Sequence, residues 1–504
     1  SGSVAGPTSP RGREEMSNTV ATLERAEAPR LERNAVGLTE VLFQSITHMA
    51  PAVATALSIG AATTFAGGNT PLAVVFALIA CLFTAYSMGQ LARHLPSAGG
   101  MYTYVARGLG SFPGWLLAWA FLLAEPIVPP ALFASFGLFG AALVTTLTGV
   151  TIEWLWIPLA ILCGAIVWWL VYRGVAFSTR TGVILGIIEI AVFLVVSALL
   201  VVNAGGRNTL SVFVPGQQGL LPALQGMVFC LLAFVGFEAA APLGEEARDP
   251  RRTVPQAVIL SAILIGLFYT FNYYAASVFF GPDRMTEFLT FNNGDPWGGI
   301  AQQVLPGIGS LLITFAILNS SLANANSGAV ASTRAIFNLG RSRLIPSWFA
   351  AVHPTHSTPV NAVHFQGIVG IVIAVVLGLA VGGPLNAYVF IGYMLGLLFA
   401  GMYIAVNLAA IGFYLRERRD EFNPLRHVVV PILGVIAMIP AFLSVIGGLT
   451  IPILNITVPP LAGPIVFVPP LVGIWMVIGI VLYFVLRARS AERIRRVGEI
   501  VAEV

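Results

Sequence analysis

The sequence predicts an all-α integral membrane protein with twelve transmembrane helices, and three observations carry that expectation. First, the 504-residue chain is 57% hydrophobic and only 10% charged, with a mean hydropathy of +0.87. A soluble domain carries about 25% charged residues. Second, no Asp, Glu, Lys or Arg occurs within 41–92, 253–282, 296–333 or 344–415. A helix needs about 20 apolar residues to cross a hydrocarbon core about 30 Å thick, so the longest of these runs must cross more than once. Third, all 26 basic residues are arginines. With the N-terminus inside, every one except Arg207 and Arg284 falls on the inner side, in a loop, a tail or the inner end of a span, the bias that membrane insertion imposes on cytoplasmic loops.

The elements follow in order. Residues 1–35 are polar, carry Pro7, Pro10 and Pro29, and lack the apolar run of a signal-peptide core. They are expected to form a disordered cytoplasmic tail. The first span, 38–66, is apolar apart from a polar cluster ending at Pro51, and it stops at the turn formers Gly67, Gly68 and Asn69. The second, 72–93, ends at Arg93, and the third, fourth and fifth occupy 113–147, 153–172 and 181–204, the last closed by Gly205 and Gly206. The sixth, 221–243, holds a glycine beside a charge, and the seventh, 255–280, starts beyond an arginine-rich loop. The eighth, 299–338, is too long for one crossing and is expected to tilt or to continue into the cytoplasm as helix. The ninth, 361–381, stops at Gly382, Gly383 and Pro384, and the tenth, eleventh and twelfth cover 386–415, 428–448 and 467–487. Two five-helix halves result, 36–204 and 221–416, followed by a helix pair at 428–487. An even number of spans returns the tail 488–504 to the cytoplasm, where its arginines suit either an anionic membrane surface or a solvated helix.

Several function classes are excluded by what this chain contains. The arginines form no single basic patch, so nucleic acid is not an expected partner. Cys81, Cys163 and Cys230 lie one each in three apolar spans, without metal-ligand or redox spacing. Short loops, no phosphate-binding glycine loop and no nucleophile–base pair argue against an enzyme, and no cofactor or metal is expected. His353 and His356 sit beside prolines in a loop, where solvation is the simpler reading.

Function in such a chain should lie where polarity or broken backbone enters the hydrocarbon. Glu125, Glu189 and Glu238 each fall inside a span. A centred charge costs about 2.5–3.5 kcal/mol on insertion scales, so each needs a partner, a water-filled cavity or a proton. The plainer reading is a protonated side chain bonded to a neighbouring helix. No lysine exists to neutralise them, which leaves protons, a cationic substrate or a metal cation.

Two stretches look unable to hold continuous helix. In the first span Thr47, His48, Met49 and Ala50 precede Pro51, which removes a backbone bond and clashes with the Thr47 carbonyl. In the sixth, Phe234, Gly236, Phe237 and Glu238 put a glycine beside a charge. These spans open the two halves, and matched interruptions are the sequence mark of a transporter's central site. Half-helix N-termini suit a carboxylate, while freed carbonyls and glutamates suit an ammonium group. Asn319 and Asn324 in the eighth span are either further ligands or ordinary glue between helices. Glu189, His48 and Glu238 are the candidates for proton coupling.

Four passages give the chain a resemblance to the amino acid–polyamine–organocation superfamily of transporters over roughly residues 36–490. They are PSAGGMYTY from Pro96, Gly236-Phe237-Glu238, EEARDPRRTVP from Glu245, and RAIFNLGRSRLIPSWFAAVHP from Arg334. The resemblance implies a leucine-transporter-type inverted five-plus-five fold with two added C-terminal helices. It further implies alternating access and import of amino acids or small organic amines across the cytoplasmic (inner) membrane, driven by a proton gradient, with sodium as the other coupling ion in such proteins. Antiport and a non-transporting substrate sensor are the alternatives. The expected partners are the small solute and membrane lipid, with the chain either a monomer or a homodimer. Two departures bear on substrate. The glycine-rich break usual in the first span is here Thr47 to Pro51, which is similar to the putrescine-importer branch. That branch also tends to carry an acidic residue where this chain has Glu125.

Overall fold

The computed structural model describes residues 31–216, 219–452, 456–457 and 460–489. Most of the expected N-terminal tail and all but the first two residues of the C-terminal one lie outside them. Fourteen helices organise the fold: α1 (Leu38–His48), α2 (Thr70–Ala92), α3 (Met101–Leu109), α4 (Ser111–Thr148), α5 (Trp156–Tyr172), α6 (Val175–Ala204) and α7 (Leu221–Leu232) in the first part. Then come α8 (Pro250–Phe280), α9 (Pro296–Val304), α10 (Gly309–Arg341), α11 (Val360–Ala380), α12 (Pro384–Arg416), α13 (Val430–Ser444) and α14 (Val468–Arg489). The strands β1 (Thr450–Ile451) and β2 (Ile456–Thr457) form a two-residue antiparallel hairpin between α13 and α14.

Among the described residues nine helical runs are long and apolar enough to cross a membrane. Three expected spans fall short of that test for separate reasons. The first is broken at Ala50, α5 has 17 residues, and α10 is long but polar in its centre. The surface agrees with a lipid environment: Ile184, Leu267, Val376, Leu379 and Val477 are all more than half exposed, as apolar side chains are where hydrocarbon replaces water.

One boundary is corrected. The eighth span was expected at 299–338, but Pro306 lacks an N–H and Gly307 takes φ +84°, so the chain divides into α9 and α10. The extra length proves to lie at the other end, where α10 continues unbroken to Arg341.

Packing separates the helices into two groups. The pieces of the first and sixth spans pack with α2 and α8, while α4, α5, α10 and α11 pack on one another. α4 shows how broken backbone is repaired in this second group. It runs 38 residues with Pro126, Pro129 and Pro130 inside it. Pro130 cannot donate to the carbonyl of Pro126, and Gln366 Nε2 of α11 donates to that oxygen instead at 3.0 Å. Gln366 Oε1 in turn accepts from Ser332 Oγ of α10 at 2.6 Å.

On the arginine-rich side, loops close the bundle. Arg334, fully buried, holds Glu246 through two hydrogen bonds at 3.0 and 3.1 Å. Arg341 pairs with Glu245, whose Oε1 also accepts from the Ala98 N–H. Val36 N donates to Glu246 O and Arg248 N donates to Val36 O, so the entry to α1 is strapped to the loop before α8.

Candidate functional site

Both expected breaks are present, and they touch. α1 ends at His48, Ala50 takes φ +48° and ψ +63°, and helix resumes at Pro51. A non-glycine residue in the left-handed region is uncommon and is held there by its surroundings. α7 ends at Leu232, Gly236 takes φ +124°, and a 3-10 helix follows over Phe237–Glu245. The two are joined through Tyr269 of α8, whose hydroxyl lies 3.0 Å from both Met49 O and Ala233 O. That one phenol serves the freed carbonyls of both interrupted helices.

Ser45 secures the far sides. Its hydroxyl donates to Phe237 O at 2.7 Å and accepts from the Ala240 N–H at 3.0 Å. Beyond the break, Tyr273 OH donates to Thr55 O at 2.7 Å.

The three glutamates separate into a pair and a single residue. Glu125 of α4, Glu238 and His48 each offer a ligand atom within 4.8 Å of the others, and all three are buried. His48 Nε2 stands 3.7 Å from Glu125 Oε2, and its Nδ1 is 3.3 Å from Ser327 Oγ of α10. Glu238 Oε2 accepts from the Gly236 N–H at 3.0 Å and from Tyr403 OH of α12 at 2.6 Å. Among the described residues both Glu125 oxygens, Glu238 Oε1 and His48 Nε2 have no hydrogen-bond partner. Buried polar atoms almost always have one, so these acceptors are free for donors that the described residues do not supply. It is rich in acceptors, and among the described residues no arginine is paired with any of the three glutamates.

Glu189 of α6 lies on the other side of the first break. Its Oε2 accepts from the Ala52 N–H at 3.1 Å, beside Ser320 Oγ of α10, which accepts from the Val53 N–H at 3.3 Å.

The remaining expected residues are placed as follows. Met49 and Ala50 form the break itself. Thr47 spends its hydroxyl on Phe43 O at 2.7 Å, within its own helix. Phe234 meets Tyr269 edge to face, and Phe237 stacks on Tyr403 with ring centroids 5.0 Å apart. Asn319 Nδ2 donates to Leu185 O at 2.6 Å, which joins α10 to α6. Asn324 is buried, with Oδ1 unpartnered.

Tyr269 and Tyr403 were not among the residues the sequence singled out. Each is one of several tyrosines in its apolar helix, with no charge or break beside it. Only the positions of the freed carbonyls and of Glu238 give them a role.

The amino acid permease family model matches residues 37–485. The low-affinity putrescine importer PlaP of Escherichia coli (strain K12) is 26% identical over 416 residues, covering 81% of this chain and 87% of that protein. The branched-chain amino acid permease BcaP of Bacillus subtilis is 28% identical over 330 residues, covering 61% of this chain and 67% of that one. Among solved structures, MhsT in complex with L-phenylalanine aligns with a TM-score of 0.55 at 16% identity, over 82% of this chain and all of the other. At that identity the likeness is one of fold.

Proposed function

The chain belongs to the amino acid permease family, whose members are multi-pass membrane transporters and not enzymes, and on that premise we propose that it imports a small amine or amino acid by proton-coupled alternating access. The observation that carries this reading is the meeting of the two helix breaks beside Glu125, Glu238 and His48, whose buried acceptor atoms lack partners. An ammonium group fits there, since it brings donors and positive charge to two carboxylates that have no arginine paired with them among the described residues. The same cluster is where we place the coupling proton, with His48 between carboxylate and serine as its relay. Glu125 and Glu238 cannot both stay ionised at this spacing in a dry interior without a cation, so substrate and proton compete for one pair of charges.

In the orientation set by the arginines both termini are cytoplasmic and the protein resides in the cytoplasmic membrane. The Arg334–Glu246 and Arg341–Glu245 pairs then form the inner barrier, and release inward requires the loop carrying Glu245 and Glu246 to part from α10.

The test is uptake into proteoliposomes of labelled putrescine, arginine and alanine, with and without an inward proton gradient. Accumulation that follows the gradient is the expected result. Movement only in exchange for solute loaded inside makes the protein an antiporter, and no movement of any amine or amino acid under either condition overturns the proposal.

A further inference from the structure

A half-helix that begins at membrane depth offers its first N–H groups to an anion, and a substrate carboxylate is the natural occupant in a carrier of amino acids. In this chain the helical run resuming at Pro51 continues through Ser58 and on to Ala66. Its first two free donors are Ala52 and Val53, because Pro51 has none. Both are already engaged: Ala52 by Glu189 Oε2 at 3.1 Å and Val53 by Ser320 Oγ at 3.3 Å. Glu189 comes from α6, far away in sequence, and is fully buried, with no cation paired to it among the described residues. On the other side of the same break lie Glu125 and Glu238 with free acceptor atoms.

We propose that Glu189 stands in for a substrate carboxylate, and that the substrate is therefore an amine carrying no carboxylate, with a small diamine as the class that Glu125 and Glu238 accommodate. An α-amino acid entering this site would have to displace Glu189 from Ala52. It would also bring a further carboxylate toward the buried pair Glu125 and Glu238, where like charges are disfavoured and unpaired ones are costly. A diamine asks for neither. Its ammonium groups meet the acceptors of Glu125 and Glu238, which have no partner among the described residues. This inference rests on the transport-site reading above and narrows it, assigning Glu189 to selectivity.

The experiment uses two probes that differ only by the group in question: 1,4-diaminobutane and ornithine, the same diamine skeleton bearing a carboxylate. Binding of each to the purified full-length protein is measured by melting-temperature titration, and uptake of each is then measured in proteoliposomes. The diamine is expected to bind at least about thirtyfold more tightly than ornithine, the scale of leaving a buried charge or donor unpaired. Glu189→Ala frees the Ala52 N–H and should shrink that ratio to about threefold or less, by strengthening ornithine binding. Glu189→Gln keeps an oxygen facing Ala52 and should retain the discrimination. Wild-type affinities for the two probes within about threefold of each other overturn the inference, as does a ratio unchanged in Glu189→Ala. Should Glu189→Ala not fold, the wild type and Glu189→Gln still decide. Selective diamine binding without any uptake leaves the inference standing and removes the transport reading, whereas equal uptake of both probes does the reverse.

Discussion

Gly236 and His48 are in backbone contact. A methyl group on Gly236 would lie 2.6 Å from the His48 carbonyl carbon and 2.7 Å from the Met49 nitrogen. The interrupted first and sixth spans therefore meet main chain to main chain, and the freed groups of one lie within reach of whatever the other binds.

Gly236→Ala should consequently be among the most damaging small substitutions in the protein. The position has φ +124°, which costs a residue with a side chain about 1–3 kcal/mol. Forcing the two backbones apart adds overpacking of about 1–3 kcal/mol. A lower melting temperature together with loss of uptake is expected, and wild-type uptake by Gly236→Ala would show that the close approach is dispensable.

The hydroxyl of Tyr403 is the only side-chain donor that the described residues supply to Glu238. Tyr403→Phe keeps the ring that stacks on Phe237 and removes only that bond. Loss of a hydrogen bond to a buried charged group is worth about 1.5–3 kcal/mol, so substrate affinity should fall by about tenfold or more. The KM for uptake measures it, and an unaltered KM would mean that Tyr403 only packs against the site.

These two residues differ in how readable they were. Gly236 is visible in the sequence because a glycine beside a glutamate breaks the pattern of an apolar helix, as Pro51 does in the first span. The charge-free runs and the arginine bias likewise announce a polytopic membrane fold, since lipid and insertion act on composition directly. Tyr403 and Tyr269 were hidden because a tyrosine in an apolar span is ordinary until a carbonyl or carboxylate from another helix is placed against it. The pairing of Glu125 with Glu238, and the separation of Glu189 from both, were hidden for the same reason: three similar residues on three spans carry no sign of which ones meet. Asn319, a polar residue conspicuous in sequence, joins α10 to α6 through its Nδ2, a partner that the sequence does not name.

Arg334 and Glu246 form a bidentate pair with both side chains essentially inaccessible. Removing one member strands the other charge, which costs about 3–5 kcal/mol. Glu246→Gln should therefore lower the melting temperature sharply, while Glu246→Leu combined with Arg334→Met, which strands no charge, should recover most of the loss. A double variant as unstable as the single one would show that the pair is needed for more than mutual neutralisation.

His94 lies just beyond α2, 3.2 Å from Glu421, and packs against Phe413 and Tyr414. Burial is the main influence holding its imidazole below the ordinary 6.5; Glu421 opposes it, and Arg418 and Arg251 reinforce it. The folded protein therefore binds this proton less readily than the unfolded chain does. Stability from the neutral ring is fully present above pH 6.5 and is lost as pH falls below it. Melting temperature measured from about pH 7.5 to about pH 5.5 should fall less steeply in His94→Gln than in the wild type. Identical slopes would remove His94 from the acid response.

Glu125 offers the sharpest test of the site. Its side chain is inaccessible, and among the described residues both oxygens lack hydrogen-bond partners and His48 Nε2, at 3.7 Å, is the chargeable nitrogen paired with it. Among the described residues only His48 lies within ion-pair distance of it, so Glu125→Gln should fold, and its melting temperature should equal or exceed that of the wild type, because an amide is less costly to bury than an unpaired carboxylate. A cationic substrate, by contrast, loses one of the two charges that hold it. Affinity for 1,4-diaminobutane should drop by about a hundredfold, matching loss of a buried charge-assisted contact of about 3 kcal/mol. The two measurements belong together. A stable Glu125→Gln protein without uptake places the carboxylate in the binding step, whereas one with normal uptake makes it a structural residue and leaves Glu238 as the sole ammonium partner.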